Sequence, residues 1–385
     1  MAQPPLTIGV VAGEASGDLL GSHLIKALRE SLPQARFTGI GGPRMQAAGM
    51  DVWYPMEKLS VRGYAEALRH FPEIIGIRRR LAARFLADPP VLFVGVDAPD
   101  FNLDLELKLR SAGIPTAHFV SPSIWAWRAG RINKIRRAVS KMLVIFPFER
   151  EIYERAGVPV AYVGHPLAET LALTHDRTAA REQLRIPASA KVVALLPGSR
   201  VSEVDQLAGL FIDTAEQIAA VVPEAHFLVP LVNRPTRDRF ETARYSRERP
   251  ELNMTLLFGH SHEAMAAADV VLAASGTAML EAALIGRPVV IAYRMSRASW
   301  WIMSHYRHMP YVGLPNIIAG EFVAPEFLQD EATADNLSQA VLNLLFDATV
   351  RSRLEERFGV MATELRQNSA ELLAGGLVPL IRPAS

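Results

Sequence analysis

The 385-residue chain contains no cysteine. That excludes disulfide staples, thiolate nucleophiles and cysteine-ligated metals, and it accords with a reducing compartment. Long apolar runs are missing as well: none approaches the ~18 uninterrupted residues of a membrane-spanning helix. The opening "MAQPPLTIGVVAGEASGD" lacks the basic and apolar regions of a secretion signal, so a cytoplasmic protein is expected. An excess of one charge is absent too, since 41 Lys+Arg stand against 40 Asp+Glu. Composition therefore carries no footprint for nucleic acid, and no such partner is expected. There is no G-x-x-x-x-G-K-[ST], which excludes a P-loop ATPase. The first loop lacks G-x-G-x-x-G, which argues against a dinucleotide site. Neither tandem repeats nor low-complexity segments occur, and no histidine pair or acidic loop suits a divalent ion. No metal and no cofactor are expected.

What is present is the composition of a soluble globular enzyme, 50% hydrophobic and 21% charged. A single core rarely grows beyond roughly 250–300 residues, so the length implies two domains. Short β-branched runs alternate with helical stretches through the first half, with strands expected at 6–11, 36–40, 91–96, 116–120, 142–145 and 160–163. Helices begin near Asp18, Pro72, Leu103, Arg131 and Phe148. Leu20, Leu24 and Leu28 share one stripe of the first helix. After the polar stretch "AETLALTHDRTAAREQLRIPASAK" the alternation restarts, with strands at 192–196, 227–230, 255–258, 270–273 and 289–292. Strands apolar throughout and separated by helices imply parallel sheets covered on both faces. The expected fold is α/β, two doubly wound Rossmann-like domains facing a cleft: 1–170, 171–345, and a helical tail over 346–385 that packs back on the first domain or on a partner subunit.

Two turns of the second half read as anion sites. In "VVALLPGSRVSEV" a buried strand ends at Leu196, and Gly198, Ser199 and Arg200 lead into a helix. Backbone N–H groups and the positive helix end suit a phosphate there, and Arg200 adds a forked cation. An ordinary strand–turn–helix with a solvated arginine is the competing reading. In "LAASGTAMLEAAL", Ser275, Gly276 and Thr277 open a helix, and Glu281 lies one turn further on the same face. A carboxylate there can accept two ribose hydroxyls while the helix N-terminus meets a phosphate; a helix cap with a surface glutamate is the alternative. The pair of turns in one half favours a mononucleotide site with a leaving diphosphate.

In the first half, "VGVDAPDFNL" follows a buried strand, so Asp97, Asp100 and Asn102 sit where open α/β sheets place ligands. Capping of the next helix by Asp100 or Asn102 is the simpler account from the residues alone.

Taken together, "VAGEASGD", "GIGGPRMQAAG", "VGVDAPDFN", "VSPSIWAWR", "VGHP", "LLPGSR", "ASGTAMLE" and "LPNIIAG" resemble, in order and over nearly the whole chain, the lipid-A-disaccharide synthase family. These are glycosyltransferases of the two-Rossmann-domain (GT-B) architecture. "SPSIWAWR" with "DAPDFN" is the specific part; the two anion turns recur more widely among GT-B enzymes. The resemblance implies inverting transfer of 2,3-diacylglucosamine from its UDP to 2,3-diacylglucosamine 1-phosphate (lipid X), giving a β-1′,6-linked disaccharide phosphate and UDP. It implies Asp100 as general base with Asp97 and Asn102 orienting it or the acceptor. The donor nucleotide then belongs to Gly198–Arg200, Ser275–Thr277, Glu281 and, across the cleft, Asn316, although Asn316 also reads as a turn asparagine after Pro315. The opening loop, with Glu14, Ser16 and Gly17, is assigned to the acceptor; its alternative is a packing turn with Ser16 or Asp18 capping the helix. Asp97-x-x-Asp100 is not the D-x-D metal clamp of the other large glycosyltransferase class, so the reaction is expected to be metal-independent. Family members often carry an acidic residue where this chain has Val91, which leaves Asp97 as the nearer helper.

The stretch "VRGYAEALRHFPEIIGIRRRLAARFL" interleaves apolar residues with arginines at helical spacing. Phe71, Ile74, Ile75, Arg78 and Arg79 suit an anionic bilayer at the inner face of a bacterial inner membrane, where acylated substrates reside. A core-facing stripe with solvated arginines is the competing reading, and Pro72 argues against one continuous helix. Trp125 and Trp127 either line the cleft or anchor a core, and His165 has no catalytic role. Other GT-B enzymes, a UDP-N-acetylglucosamine 2-epimerase or the peptidoglycan N-acetylglucosaminyl transferase, share the second-half logic without the two specific motifs; a non-catalytic nucleotide-sugar sensor would not need Asp100. The apolar tail and "SWWIMSHYRHM" offer surfaces for packing on the opposite domain or on a second subunit. The resemblance admits a homodimer, since the family often dimerises through its C-terminal part, and light scattering decides.

Overall fold

The computed structural model describes residues 6–59, 64–125, 129–174, 176–248, 251–295, 300 and 310–381. Arg62, Trp127 and, apart from residue 300, the Ser299–Met309 segment lie outside them. One compact unit comprises Met1–Pro166 with Leu365–Ser385, and the other Leu167–Glu364.

The first unit holds a seven-stranded sheet of order β3-β2-β1-β4-β5-β6-β7. Its strands are β1 (Thr7–Ala12), β2 (Arg36–Gly41), β3 (Met50–Pro55), β4 (Leu92–Val96), β5 (Thr116–Phe119), β6 (Lys141–Val144) and β7 (Val160–Tyr162). The second unit holds a six-stranded sheet of order β10-β9-β8-β11-β12-β13. Those strands are β8 (Val192–Leu196), β9 (His226–Leu231), β10 (Met254–Phe258), β11 (Val270–Ala274), β12 (Val289–Tyr293) and β13 (Glu326–Leu328). The central pairs β1–β4 and β8–β11 are parallel, and β4, β8 and β11 are buried at every residue. Continuous apolar runs are what a strand covered on both faces needs.

Two strands escaped the sequence pattern. β3, "MDVWYP", is a half-exposed edge strand, and β13 spans three residues at the opposite edge of the other sheet. Neither has the apolar continuity that marks a central strand.

The Tyr64–Ala87 helix runs unbroken through Pro72, near which the helix was expected to begin. Its Ile77, Leu81, Ala82 and Phe85 are buried in one cluster with Val11, Phe93 and Phe101, so core packing holds the element across the proline. The tail is divided differently from the expected 346–385 segment. The Ala348–Leu365 helix ends the second unit, whereas the Ser369–Ile381 helix packs on the Ala15–Ser31 helix and on β6 and β7. At the return point the His165 N–H donates to the Leu365 carbonyl at 2.9 Å, and Gly164 takes a φ of +73° with Gln367 against it. His165 is thereby a buried structural residue beside the Phe146 ring.

Candidate active site

Each sheet reverses its strand order once at its centre, between β1 and β4 and between β8 and β11. Open α/β sheets bind ligands outside the carboxyl ends of the strands at such a point. In register, Ala12 lies beside Val96, and Leu196 beside Ala273. The loops that leave these four ends are Gly13–Glu14, Asp97–Ala98, Pro197–Arg200 and Ser275–Gly276. All four stretches singled out in the sequence therefore emerge at the two switch points.

In the first of them, Glu14 and Ser16 are exposed at the start of the Ala15–Ser31 helix. Gly17 is buried, and a Cβ there would sit 3.3 Å from that of Ala12 and 3.5 Å from the Val96 carbonyl. The missing side chain permits close helix–sheet packing there. Asp18 does not cap its own helix. Only 2% exposed, it accepts from the N–H groups of Gly42, Arg44 and Met45 at 2.9–3.0 Å, at the N-terminus of the Pro43–Ala47 helix. That explains why "GEASGD" and "GIGGPRM" occur together: one supplies the cap for the other.

The turn after β4 is strained. Asp97 and Ala98 take φ of +51° and +44° in succession, a region costly to residues with a side chain and concentrated at functional sites. Burial pushes the Asp97 carboxyl above its ordinary value, against opposing pulls from His118 and the Ala98 N–H. Asp100 opens the Pro99–Ser111 helix with its side chain 80% exposed and in contact with Arg131. Arg78 donates to the Asp100 carbonyl at 3.2 Å and to the Asp104 carboxylate at 2.7 Å. Asn102 is 0% exposed. Its Nδ2 donates to the carbonyls of Val11 at 3.2 Å and Asp97 at 2.7 Å. It ties the ends of β1 and β4 together beneath the turn, so neither acceptor contact nor helix capping describes it. Arg131 and Asn102's internal role were invisible in sequence, because both depend on chain brought in from elsewhere.

Trp125 of "SPSIWAWR" is anchored rather than loose: its Nε1 donates to Glu149 at 3.1 Å, and its ring meets Phe148 edge-on. Glu149 is 1% exposed; burial pushes its carboxyl from 4.5 to about 7, partly offset by hydrogen bonds from the Phe146 N–H, Trp125 and Ser121. The folded chain thus holds a proton that the unfolded chain releases above pH 4.5. This group's contribution to stability is complete below pH 4.5 and is lost as pH rises through about 7. The span corresponds to roughly 3 kcal/mol. Glu149→Gln is expected to flatten the urea-measured stability curve across that window; an unchanged slope contradicts the assignment.

In the second unit, the Pro197–Arg200 turn differs from expectation. Glu203 Oε2 already accepts from the N–H groups of Ser199 at 2.9 Å and Arg200 at 3.2 Å, and its Oε1 meets the Arg200 guanidinium at 3.2 Å. Gly198, at φ +126°, leaves room for that carboxylate. The two N–H groups are therefore committed to a helix cap, and the anion-binding capacity of this turn rests on Arg200, 67% exposed at its side chain. The other turn is open. Gly276 and Thr277 are exposed, and no side chain caps the Thr277–Leu284 helix at Gly276. Glu281 is 16% exposed at its side chain and held by His262 Nε2 at 2.8 Å. His262, on the Ser261–Ala267 helix, had no signal in the sequence.

Asn316 is again an internal residue. It is 0% exposed; its amide donates to the Ala324 carbonyl at 2.8 Å and Glu326 at 3.1 Å. Its oxygen accepts from Val323 and Ala324 at 2.9 and 2.7 Å. Every capacity of the amide is spent on the 320–326 loop, which corrects its assignment to the nucleotide. Of the membrane-contact set, Ile74 is partly buried against the core cluster and Arg78 pairs with Asp104 at 2.7 Å. Phe71 remains 60% exposed, and Arg79 is exposed. Among the described residues no helix is long and apolar enough to cross a membrane, and no group of three or more His, Asp or Glu could hold a metal ion.

The arrangement has solved counterparts. UDP-GlcNAc 2-epimerase from Neisseria meningitidis, bound to UDP-GlcNAc, superposes with a TM-score of 0.63 at 13% identity, covering 97% of this chain and 98% of that one. MurG from Acinetobacter baumannii superposes with a TM-score of 0.58 at 14% identity, covering 96% and 99%. The fold is that of the two-Rossmann-domain (GT-B) enzymes. The family profile described as Lipid-A-disaccharide synthetase matches residues 8–374. The lipid-A-disaccharide synthase of Methylobacillus flagellatus is 54% identical over 376 residues, 98% of this chain and all of that protein. The chain belongs to the lipid-A-disaccharide synthase family of glycosyltransferases.

Proposed function

We propose that the protein transfers 2,3-diacylglucosamine from its UDP to lipid X, with inversion at the anomeric carbon. The observation that carries this reading is near full-length identity of 54% to a lipid-A-disaccharide synthase, in a chain whose "DAPDFN" motif emerges at the switch point of the first sheet. Asp100 takes the proton from the acceptor's 6-hydroxyl as its oxygen bonds to the donor's anomeric carbon. The bond from that carbon to the diphosphate breaks, and UDP leaves with the electron pair. The departing charge is met by Arg200 and by the uncapped N-terminus of the Thr277–Leu284 helix, without a metal. Glu281 accepts the ribose hydroxyls, Ser275 lines the phosphates, and Glu14 and Ser16 hold acceptor hydroxyls. Incubation with UDP-2,3-diacylglucosamine and lipid X in EDTA should release UDP and a disaccharide phosphate. Activity lost in EDTA and restored by Mg²⁺ overturns the metal-free part. Conversion of UDP-N-acetylglucosamine alone would point to epimerase chemistry instead.

The same reading places the protein at the inner face of a bacterial inner membrane, through Phe71, Ile75 and Arg79. Apolar groups in the interface and arginines on anionic headgroups would hold it there. Co-sedimentation with anionic vesicles should fall with added salt and in Phe71→Ser; binding indifferent to both contradicts it.

A further inference from the structure

Three orphaned polar atoms gather around one glycine of β4. Asn102 Oδ1, Glu106 Oε2 and His118 Nε2 are buried with no hydrogen-bond partner among the described residues, and all three side chains are 0% exposed. Asn102 and Glu106 stand one turn apart on the Pro99–Ser111 helix. A Cβ on Gly95 would overlap the Glu106 carboxylate and lie 2.8 Å from Asn102 Cβ. Gly95 is also the register partner of His118 in β5. Glu106 Oε1 meets His118 Nδ1 at 2.6 Å. Native folds satisfy nearly all buried polar groups, so three exceptions in one place call for a role other than stability.

The cluster underlies the strained turn. Asn102 holds the Asp97 carbonyl, and the Asp97 N–H donates to Phe119, the neighbour of His118, at 2.9 Å. We propose that Glu106 and His118 form a buried dyad that positions the Asp97 carboxylate and, through its turn, Asp100; the inference rests on the glycosyl-transfer reading above. Glu106 fixes the imidazole through Nδ1, and the His118 charge favours the ionised form of Asp97, which burial opposes. The groups facing the dyad are Asp97 from the loop after β4 and Lys134 from the Ile132–Ala138 helix, whose charge reaches Glu106. Lys134 itself pairs with Asp104 at 2.5 Å.

The test compares His118→Gln and Glu106→Gln with the wild type, by the pH profile of kcat and by carboxyl ¹³C NMR of Asp97, identified by its loss in Asp97→Asn. In His118→Gln the Asp97 titration should move up by about one pH unit, about tenfold in proton affinity. The acid limb of kcat should follow it, with KM for the donor unchanged. Glu106→Gln, which releases the imidazole, should move both in the same direction and decides the matter alone where His118→Gln does not fold. A lower kcat with neither titration moved assigns the pair to packing and overturns the dyad. If the wild-type protein transfers no sugar, the functional reading falls, while the Asp97 titration still decides the dyad.

Discussion

Asp100→Ala is expected to cut turnover by about 10²- to 10⁴-fold, the usual worth of a positioned general base, while UDP binds as before. The residue suits a clean test. With an 80% exposed side chain, its removal leaves no cavity, and surface changes of this kind cost within about 0.5 kcal/mol. Its partner Arg131 is 19% exposed at the side chain and keeps water access. Asp100→Asn preserves size and removes only the proton-accepting capacity, so it should be nearly as inactive as the alanine variant. Circular dichroism and UDP titration distinguish lost chemistry from lost fold. Near-normal turnover in a folded Asp100→Ala protein would sink its role as base. Asn102→Ala should behave differently, losing stability as well as rate, because it removes the tie between β1 and β4.

Glu281→Ala carries the second large effect, on donor affinity. A hydrogen bond to a charged acceptor contributes about 1.5–3 kcal/mol. Losing two, to the ribose hydroxyls, should weaken UDP binding by roughly 10²-fold or more at about 1.4 kcal/mol per decade. Glu281→Gln retains one acceptor oxygen and should lose less. His262→Ala frees the carboxylate to rotate and should give a smaller rise in the UDP Kd. Calorimetric titration of UDP reads all three. An unchanged Kd in folded Glu281→Ala would restrict this carboxylate to its pairing with His262.

The central strands were legible because a strand buried on both faces must be apolar throughout, and β8 appears where the pattern puts it, at 192–196. β3 and β13 were not, since a charged residue in each, Asp51 in "MDVWYP" and Glu326 in "EFL", breaks the apolar run. Pro72 misled for a related reason: local propensity forbids what tertiary packing of Ile77, Leu81 and Phe85 sustains.

Taken by itself, the sequence determined the α/β class, the four loops that leave the strand ends at the switch points and, by resemblance, the family. It did so because short motifs and apolar runs are local properties. Which polar side chain in each motif looks outward was decided only by tertiary structure. Asn102 and Asn316 turned inward to bind backbone carbonyls and amides. Glu203 claimed the N–H groups of its own turn, and Asp18 capped a helix 25 residues further along. His118, Glu106 and His262 acquired their meaning from partners on other elements. A buried amide or carboxylate must find its hydrogen bonds wherever the fold brings them, and sequence spacing does not record where that is.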